Sequence, residues 1–206
     1  MIYLYYVIAA IIGYLIGSLN FAIIVGKLFY KTDVRNFGSK NAGATNTMRT
    51  LGVKAGIAVF LLDTLKAVIA FLIISLIPIG RPVSAYLAAT AASIGHNYPV
   101  FFGFKGGKGV TVSLGAVCCF NPLAGILTLA VGVVIIAISK YVSLGSMAAA
   151  FVSPFLTYWL YTGEYKTLAV ILNIILALQI IVRHKKNIIS LIHGNERKIS
   201  AGKKEG

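Results

Sequence analysis

The sequence predicts an all-α integral membrane protein, a bundle of seven transmembrane helices. Three observations carry this. Of 206 residues, 58% are hydrophobic and 12% are charged, whereas a soluble domain carries about 25% charged residues. The apolar residues fall into long runs, most near the roughly 20 residues that a spanning helix needs. The basic residues gather between alternate runs.

Each element follows in turn. Residues 2–27 make the first span. The run lacks a basic leader and is too long for a signal-peptide core, so it is expected to stay as a helix. Residues 57–79 make the second, with Asp63 and Lys66 inside it. Three apart on a helix, these two can face each other as a structural ion pair turned to the bundle interior. Residues 83–102 make a third span, rich in small residues and polar at its end. Residues 110–120 are apolar but short, a span or a re-entrant half-helix. Asn121-Pro122 then breaks the run, and 123–139, 146–162 and 167–182 complete the seven. A basic tail, 183–206, closes the chain, and its stretch RHKKNIISLIHGNERKI reads as an amphipathic interfacial helix. All of it reads as a single membrane domain with no room for a sizeable soluble one.

Charge sets the orientation. The net charge is +14. When sides alternate across seven spans, Lys27, Lys31, Arg35, Lys40, Arg49, Lys54, Lys105, Lys108, Lys140 and the basic tail share one side. The other side receives Arg81 and Lys166. The excess marks the cytoplasmic face, so the N-terminus is expected outside and the C-terminus in the cytoplasm. The polar segments 31–54, 103–109 and 141–146 and the start of the tail then converge on one inner face. In a soluble protein this charge would suggest nucleic acid. Between apolar spans it points instead to anionic ligands and membrane lipids, with no nucleic acid.

The polar segments have a chemistry suited to anions. In GSKNAGATN, Gly38 to Asn46, small residues let the backbone turn tightly and present successive N–H groups. Ser39, Thr45 and Asn46 add side-chain donors, and Arg49 adds a planar fork suited to phosphate or carboxylate. Such a loop running into a helix N-terminus makes an anion site; a flexible loop touching lipid headgroups is the plainer alternative. GHNYPVFFGFKGGKG, Gly95 to Gly109, holds a GGKG turn whose Lys108 is a point charge for an anion. It is not a Walker A loop, because Phe102 stands for the first Gly and Gly109 for the Ser/Thr. His96 sits at the polar end of its span, as a packing histidine or a base. Cys118 and Cys119 are adjacent in an apolar run and suit neither a disulfide nor a metal site. No metal-ligand pattern and no nucleophile elbow is present.

Three segments in order, DVRNFGSKNAGATNTMRTLG, GHNYPVFFGFKGGKGV and YVSLGS with the tail HKKNIISLIHGNE, resemble the bacterial acyl-phosphate:glycerol-3-phosphate acyltransferases, the PlsY family. LLDTLKAVIA in the second span is similar as well. The resemblance implies a multi-pass enzyme of the bacterial cytoplasmic membrane, without metal or organic cofactor. It would move a fatty acyl group from acyl phosphate to the 1-hydroxyl of glycerol-3-phosphate. Lysophosphatidic acid and phosphate would result, in the first acylation of phospholipid synthesis. A monomer acting on these two substrates within membrane lipid is expected.

On that resemblance, backbone N–H groups from Gly43 through Ala44 to Asn46, with the side chains of Asn41, Thr45 and Asn46, would hold the acyl phosphate. Ser39, Arg49, Lys108, Ser146, His184 and Asn187 would hold glycerol phosphate. Ser39, Arg49, His96 and Lys108 are the expected catalytic residues. The proton of the attacking hydroxyl would go to His96 or to a substrate phosphate; the lack of an obvious carboxylate–histidine pair favours phosphate. The acyl chain is expected in a groove beside the small-residue stretch 83–93. The sequence departs from the family at Lys40, where Gly is usual, at Asn20 for Pro, and at Lys186 and Ser190 in the tail. Two other classes compete: a transporter using GSKNAGATN and GGKG as half-helix ends, and a membrane-surface scaffold using its basic face.

Overall fold

A computed structural model describes residues 1–199; residues 200–206, the end of the expected basic tail, lie outside the described residues. The described residues fold into ten α-helices and two short 3-10 turns, with no strand among them.

The first apolar run is two helices. Helix α1 (Ile2–Ser18) stops at Leu19, and α2 (Phe21–Tyr30) starts anew. The break is a capping event: Asn20 is extended, and its side-chain oxygen accepts from the Ile23 backbone N–H at 3.2 Å. The expected uninterrupted span 2–27 is therefore corrected to a helix with a hinge. The polar segment 31–54 also holds structure of its own. It contains α3 (Ala44–Leu51), and α4 (Val53–Ser75) begins before the segment ends.

Helix α5 (Val83–Asn97) ends five residues before the expected limit of 102, because Tyr98-Pro99 leaves helical geometry and Val100–Phe102 forms a 3-10 turn. Helix α6 (Val110–Phe120) is the short apolar element. Asn121 ends it and caps α7 (Pro122–Ser139), accepting from the Ala124 N–H at 2.9 Å with Pro122 in the first turn. Helix α8 (Val142–Leu160) absorbs most of the expected 141–146 loop, so Ser146 stands on a helix. Helix α9 (Lys166–Arg183) follows its expected bounds closely, whereas the interfacial helix expected over 183–199 is shortened to α10 (Lys185–Ile192), which ends just before Gly194 at φ +70.

Five segments are long and apolar enough to cross a membrane: Ile2–Tyr30, Val53–Ser75, Pro122–Ser139, Val142–Leu160 and Lys166–Arg183. Their packing is inverted relative to a soluble bundle. On α4 the large residues Leu61, Leu65, Ile69 and Leu72 are exposed, while Val59, Ala67 and Ala70 are fully buried. Lipid gives no hydrophobic reason to bury leucine, so helices associate through small residues and close backbones. Helices α1 and α5 do this most closely. A Cβ at Gly13 or Gly17 would collide with the Ala88 or Ala92 carbonyl, and one at Gly95 with that of Tyr14. The small stretch 83–93 is therefore used up by packing against α1. It lines no part of the cavity described below.

Candidate active site

One cavity of about 350 Å³ runs from the polar loops down between α6, α7, α8 and α9. Its mouth is polar and its shaft is apolar. Ser39, Asn41, Gly43, Ala44, Thr45, Asn46, Arg49, His96, Lys108, Ser146, His184 and Asn187 all line it, so every expected site residue meets in one place.

Three helix N-termini open onto the mouth. Helix α3 starts at Ala44, capped only by the backbone of Gly43. The N–H groups of a first turn have no intrahelical acceptor, and those of Ala44, Thr45 and Asn46 belong to cavity-lining residues. Helix α6 presents Gly109, Val110 and Thr111, and α8 presents Val142 and Ser143. Neither carries a side-chain cap. Each such end carries about half a positive charge. Lys108 and Arg49 stand beside them.

The loop Gly38–Gly43 is held by Asn46. Its amide donates to the Val34 and Phe37 carbonyls at 2.8 and 3.2 Å, and its Oδ1 accepts from the Ser39 N–H at 2.8 Å. The expected Asn46 side chain thus shapes the loop, and its backbone faces the cavity. Lys40 adopts φ +57, the left-handed region that glycine occupies at little cost. Lys40 therefore holds a glycine-like backbone and carries strain of about 1 kcal/mol.

The second loop is fastened from several sides. Arg183 donates to the Gly107 carbonyl at 2.8 and 3.2 Å and to that of Asn97 at 3.3 Å. Arg35 reaches across from the first loop to the Phe102 and Lys105 carbonyls at 2.9 and 3.3 Å, braced by Asp33 at 2.8 Å. Lys108 is left pointing into the mouth, where its ammonium donates to Asn187 Oδ1. Burial, reinforced by Arg49 and Arg183 and opposed by Glu196, lowers its pKa to about 8. It is still mostly a cation at neutral pH.

Glu196 completes this corner. It accepts from Asn187 Nδ2 at 2.8 Å and from the Ser143 hydroxyl at 2.6 Å. The tail folds back to place it there, with the Ile199 N–H on the Lys140 carbonyl at 2.8 Å and Arg49 donating to the Arg197 carbonyl at 3.4 Å. His184 is buried, and its Nδ1 donates to the Ile180 carbonyl at 2.8 Å. Burial, then the neighbouring Lys108, lowers its pKa to about 4. The ring is therefore neutral at pH 7, with Nε2 left as an acceptor. Ser146 donates its hydroxyl to Val142 at 2.9 Å and keeps its lone pairs.

His96 lines the cavity from a nearly buried position. It is 2% exposed. Lys66 Nζ lies 2.9 Å from its Nδ1, and Gly107 covers its Nε2 so closely that a Cβ there would collide with the nitrogen. A carboxylate is nearby after all: Asp63 Oδ1 is 3.5 Å from Nδ1 and 2.8 Å from Lys66 Nζ. The expected Asp63–Lys66 ion pair is present and includes the histidine.

Below the mouth the lining is Leu114, Val117, Leu129, Val133, Ile136 and Leu176, among others. Along α9 the wall runs from His184 to Asn173, about 16 Å at helical rise. The floor is polar: the Ser153 hydroxyl donates to Asn173 Oδ1 at 2.9 Å, and Asn173 Nδ2 donates to Thr157 at 2.7 Å.

Glu196, Arg183 and Arg35 were not singled out by sequence reasoning. Arg183 and Arg35 look like ordinary cytoplasmic charges. Glu196 had one signal, its place in the tail motif HGNE. Among the described residues no cluster of His, Cys, Asp and Glu could hold a metal ion.

The comparisons agree with this geometry. Residues 7–194 match the family model for glycerol-3-phosphate acyltransferase. A glycerol-3-phosphate acyltransferase of Thermoanaerobacter pseudethanolicus is 46% identical over 198 residues, covering 95% of this chain and 96% of that one. One from Clostridioides difficile is 41% identical over 203 residues, covering 96% and 97%. A crystal structure of PlsY (YgiH), an integral membrane glycerol 3-phosphate acyltransferase in its glycerol 3-phosphate form, superposes with TM-score 0.85 at 38% identity. It covers 95% of this chain and 96% of that one. The lysophosphatidic acid form superposes with TM-score 0.82 at 37% identity, over 95% of each. The chain belongs to the glycerol-3-phosphate acyltransferase family, whose PlsY members are integral membrane proteins.

Proposed function

We propose that this protein transfers a fatty acyl group from acyl phosphate to the 1-hydroxyl of glycerol-3-phosphate, releasing 1-acyl-glycerol-3-phosphate and phosphate. One observation carries the reading: a single cavity joins a cationic, donor-rich mouth to an apolar shaft. A phosphorylated acceptor fits the first and an acyl chain the second. The α3 N-terminus receives the acyl phosphate, through the N–H groups of Ala44, Thr45 and Asn46 and the Asn41 and Thr45 side chains. Ser39, Arg49, Lys108, Ser146, His184 and Asn187 receive glycerol-3-phosphate. Asn46 and Glu196 position these groups. The mouth faces the cytoplasm in a seven-span arrangement of the bacterial cytoplasmic membrane, with α5 and α6 as the two short spans. The one-sided distribution of lysine and arginine supports that orientation.

The reaction needs no protein nucleophile, because acyl phosphate is already an activated mixed anhydride. The glycerol oxygen attacks the acyl carbon, the carbon–oxygen bond to phosphate breaks, and phosphate departs. We assign the hydroxyl proton to a phosphate oxygen. What supports this is that Lys66 Nζ stands 2.9 Å from His96 Nδ1, and that neutral His184 has too low a pKa to be an effective base. Helix ends and cations then stabilise the charge on the departing phosphate. Purified protein given acyl phosphate and glycerol-3-phosphate should release phosphate only when both are present. Release that ignores the acceptor sinks the proposal.

A further inference from the structure

We infer that a buried hub of Asn20, Asp63, Lys66 and His96 is the positioning device that sets the two substrate loops against each other. The inference rests on the acyltransferase reading above.

The hub lies behind the mouth, and its four members are at most 2% exposed. Lys66 comes from the middle of α4. Its ammonium donates to the Leu19 carbonyl at 3.0 Å, lies 2.9 Å from His96 Nδ1, and pairs as an ion with Asp63 Oδ1 at 2.8 Å. Leu19 stands at the α1–α2 hinge, where its carbonyl would otherwise lose its helical partner. Asn20 works from the same hinge. Its Oδ1 caps α2, and its Nδ2 donates to the Ala42 carbonyl at 3.3 Å. Ala42 belongs to the loop that leads into α3.

His96 carries the connection to the other loop. An ammonium has no lone pair, so in the 2.9 Å contact Lys66 donates and His96 Nδ1 accepts. The His96 carbonyl accepts from the Gly107 N–H at 3.1 Å, and its ring packs closely on Gly107. At that point the loops touch, since a Cβ at Gly107 would stand 2.7 Å from the Ala42 carbonyl oxygen. Hinge, first loop and second loop therefore share one charged centre. Two ions this deep are costly to bury, and neither reaches the cavity. Their place in the fold gives them one role, which is to fix the distance between the N–H groups that follow Ala42 and the lysine that follows Gly107.

Two variants test this in detergent-purified full-length protein. In Asp63→Asn/Lys66→Met both charges go together, so no lone buried ion remains and the fold is expected to persist, with its thermal midpoint near that of wild type. Its kcat/KM should fall by about tenfold to a hundredfold, with KM raised for both substrates, because both loops lose their reference point. Asn20→Ser keeps an α2 cap and removes the amide donor to Ala42. It should raise KM for acyl phosphate several-fold and leave KM for glycerol-3-phosphate within about twofold. A double variant that keeps wild-type constants, or fails to fold, overturns the hub, and so does an Asn20→Ser variant with unchanged acyl-phosphate KM. Wild-type protein in the same assay separates the two claims. If it shows no acceptor-dependent phosphate release, the acyltransferase reading fails, whatever the variants do.

Discussion

The mouth and the shaft of the cavity are built on opposite rules. The mouth is assembled from distant pieces of chain, namely the 38–46 loop, the 103–109 loop, the start of α8, the end of α9 and the returning tail. Several of its groups are held by hydrogen bonds: Ser39 by Asn46, Gly107 by Arg183, Asn187 by Glu196. The shaft is assembled from neighbouring helices and held by side-chain volume. On the proposed function, the mouth would select by charge and geometry, and the shaft by length and girth. Substitutions in one should change acceptor kinetics, and in the other donor choice.

The largest expected effect is at the mouth. Arg49→Ala or Lys108→Ala should lower kcat/KM by about a hundredfold or more, the scale of losing one preorganised charge-stabilising donor. Steady-state phosphate release checks this. A loss confined to binding of anionic lipid, with catalysis intact, would favour the scaffold reading instead.

Lys108 gives a second, pH-dependent break. Its pKa is lowered to about 8, so its positive charge is present below pH 8 and is lost as pH rises through that value. KM for glycerol-3-phosphate should climb through this window, and Lys108→Arg should move the climb to higher pH, since arginine stays charged. A profile identical in both proteins would detach the effect from Lys108.

The shaft supplies the complementary test. Ala149 lines it on α8 and is nearly buried. Ala149→Leu should shift preference toward shorter acyl phosphates by about tenfold, since methylene-sized steric changes in a pocket are worth roughly that much. KM for glycerol-3-phosphate should stay put. If acceptor KM moves and chain preference does not, the division between mouth and shaft is wrong.

The smallest effect is expected at Lys40. Relieving its positive φ by Lys40→Gly should raise thermal stability slightly, by less than about 1 kcal/mol, because the added freedom of the unfolded chain offsets part of the gain. Activity should change little, since the turn already has a glycine-like shape.

Much of the fold was legible in the sequence where local chemistry punctuates it. Asn121-Pro122 announces both a cap and a first turn, and that boundary stands as expected. The break at Leu19-Asn20 was not legible, because neither residue is a strong breaker. It depends on a cap to Ile23 and on Lys66 arriving from another helix. Likewise Ser146 sits on a helix because α8 starts right after Tyr141 and runs on through Gly145. The site residues near the loops were legible because Gly-rich anion loops have a composition signature. Glu196 and the Asp63–His96 approach were not, since their partners are far away in sequence: Ser143 is 53 positions from Glu196, and Lys66 is 30 from His96. The proposed acyl shaft was not legible for a related reason. Small residues mark close helix packing as readily as open grooves, and here they seal α5 against α1.

The most direct test is a comparison of acyl donors. Purified protein receives glycerol-3-phosphate with acyl phosphate, acyl-CoA or acyl carrier protein thioester in separate reactions, and the lipid product is identified by mass spectrometry. The expected result is 1-acyl-glycerol-3-phosphate from acyl phosphate alone, with one phosphate released per product. Product formed from a thioester, with none from acyl phosphate, would contradict the account.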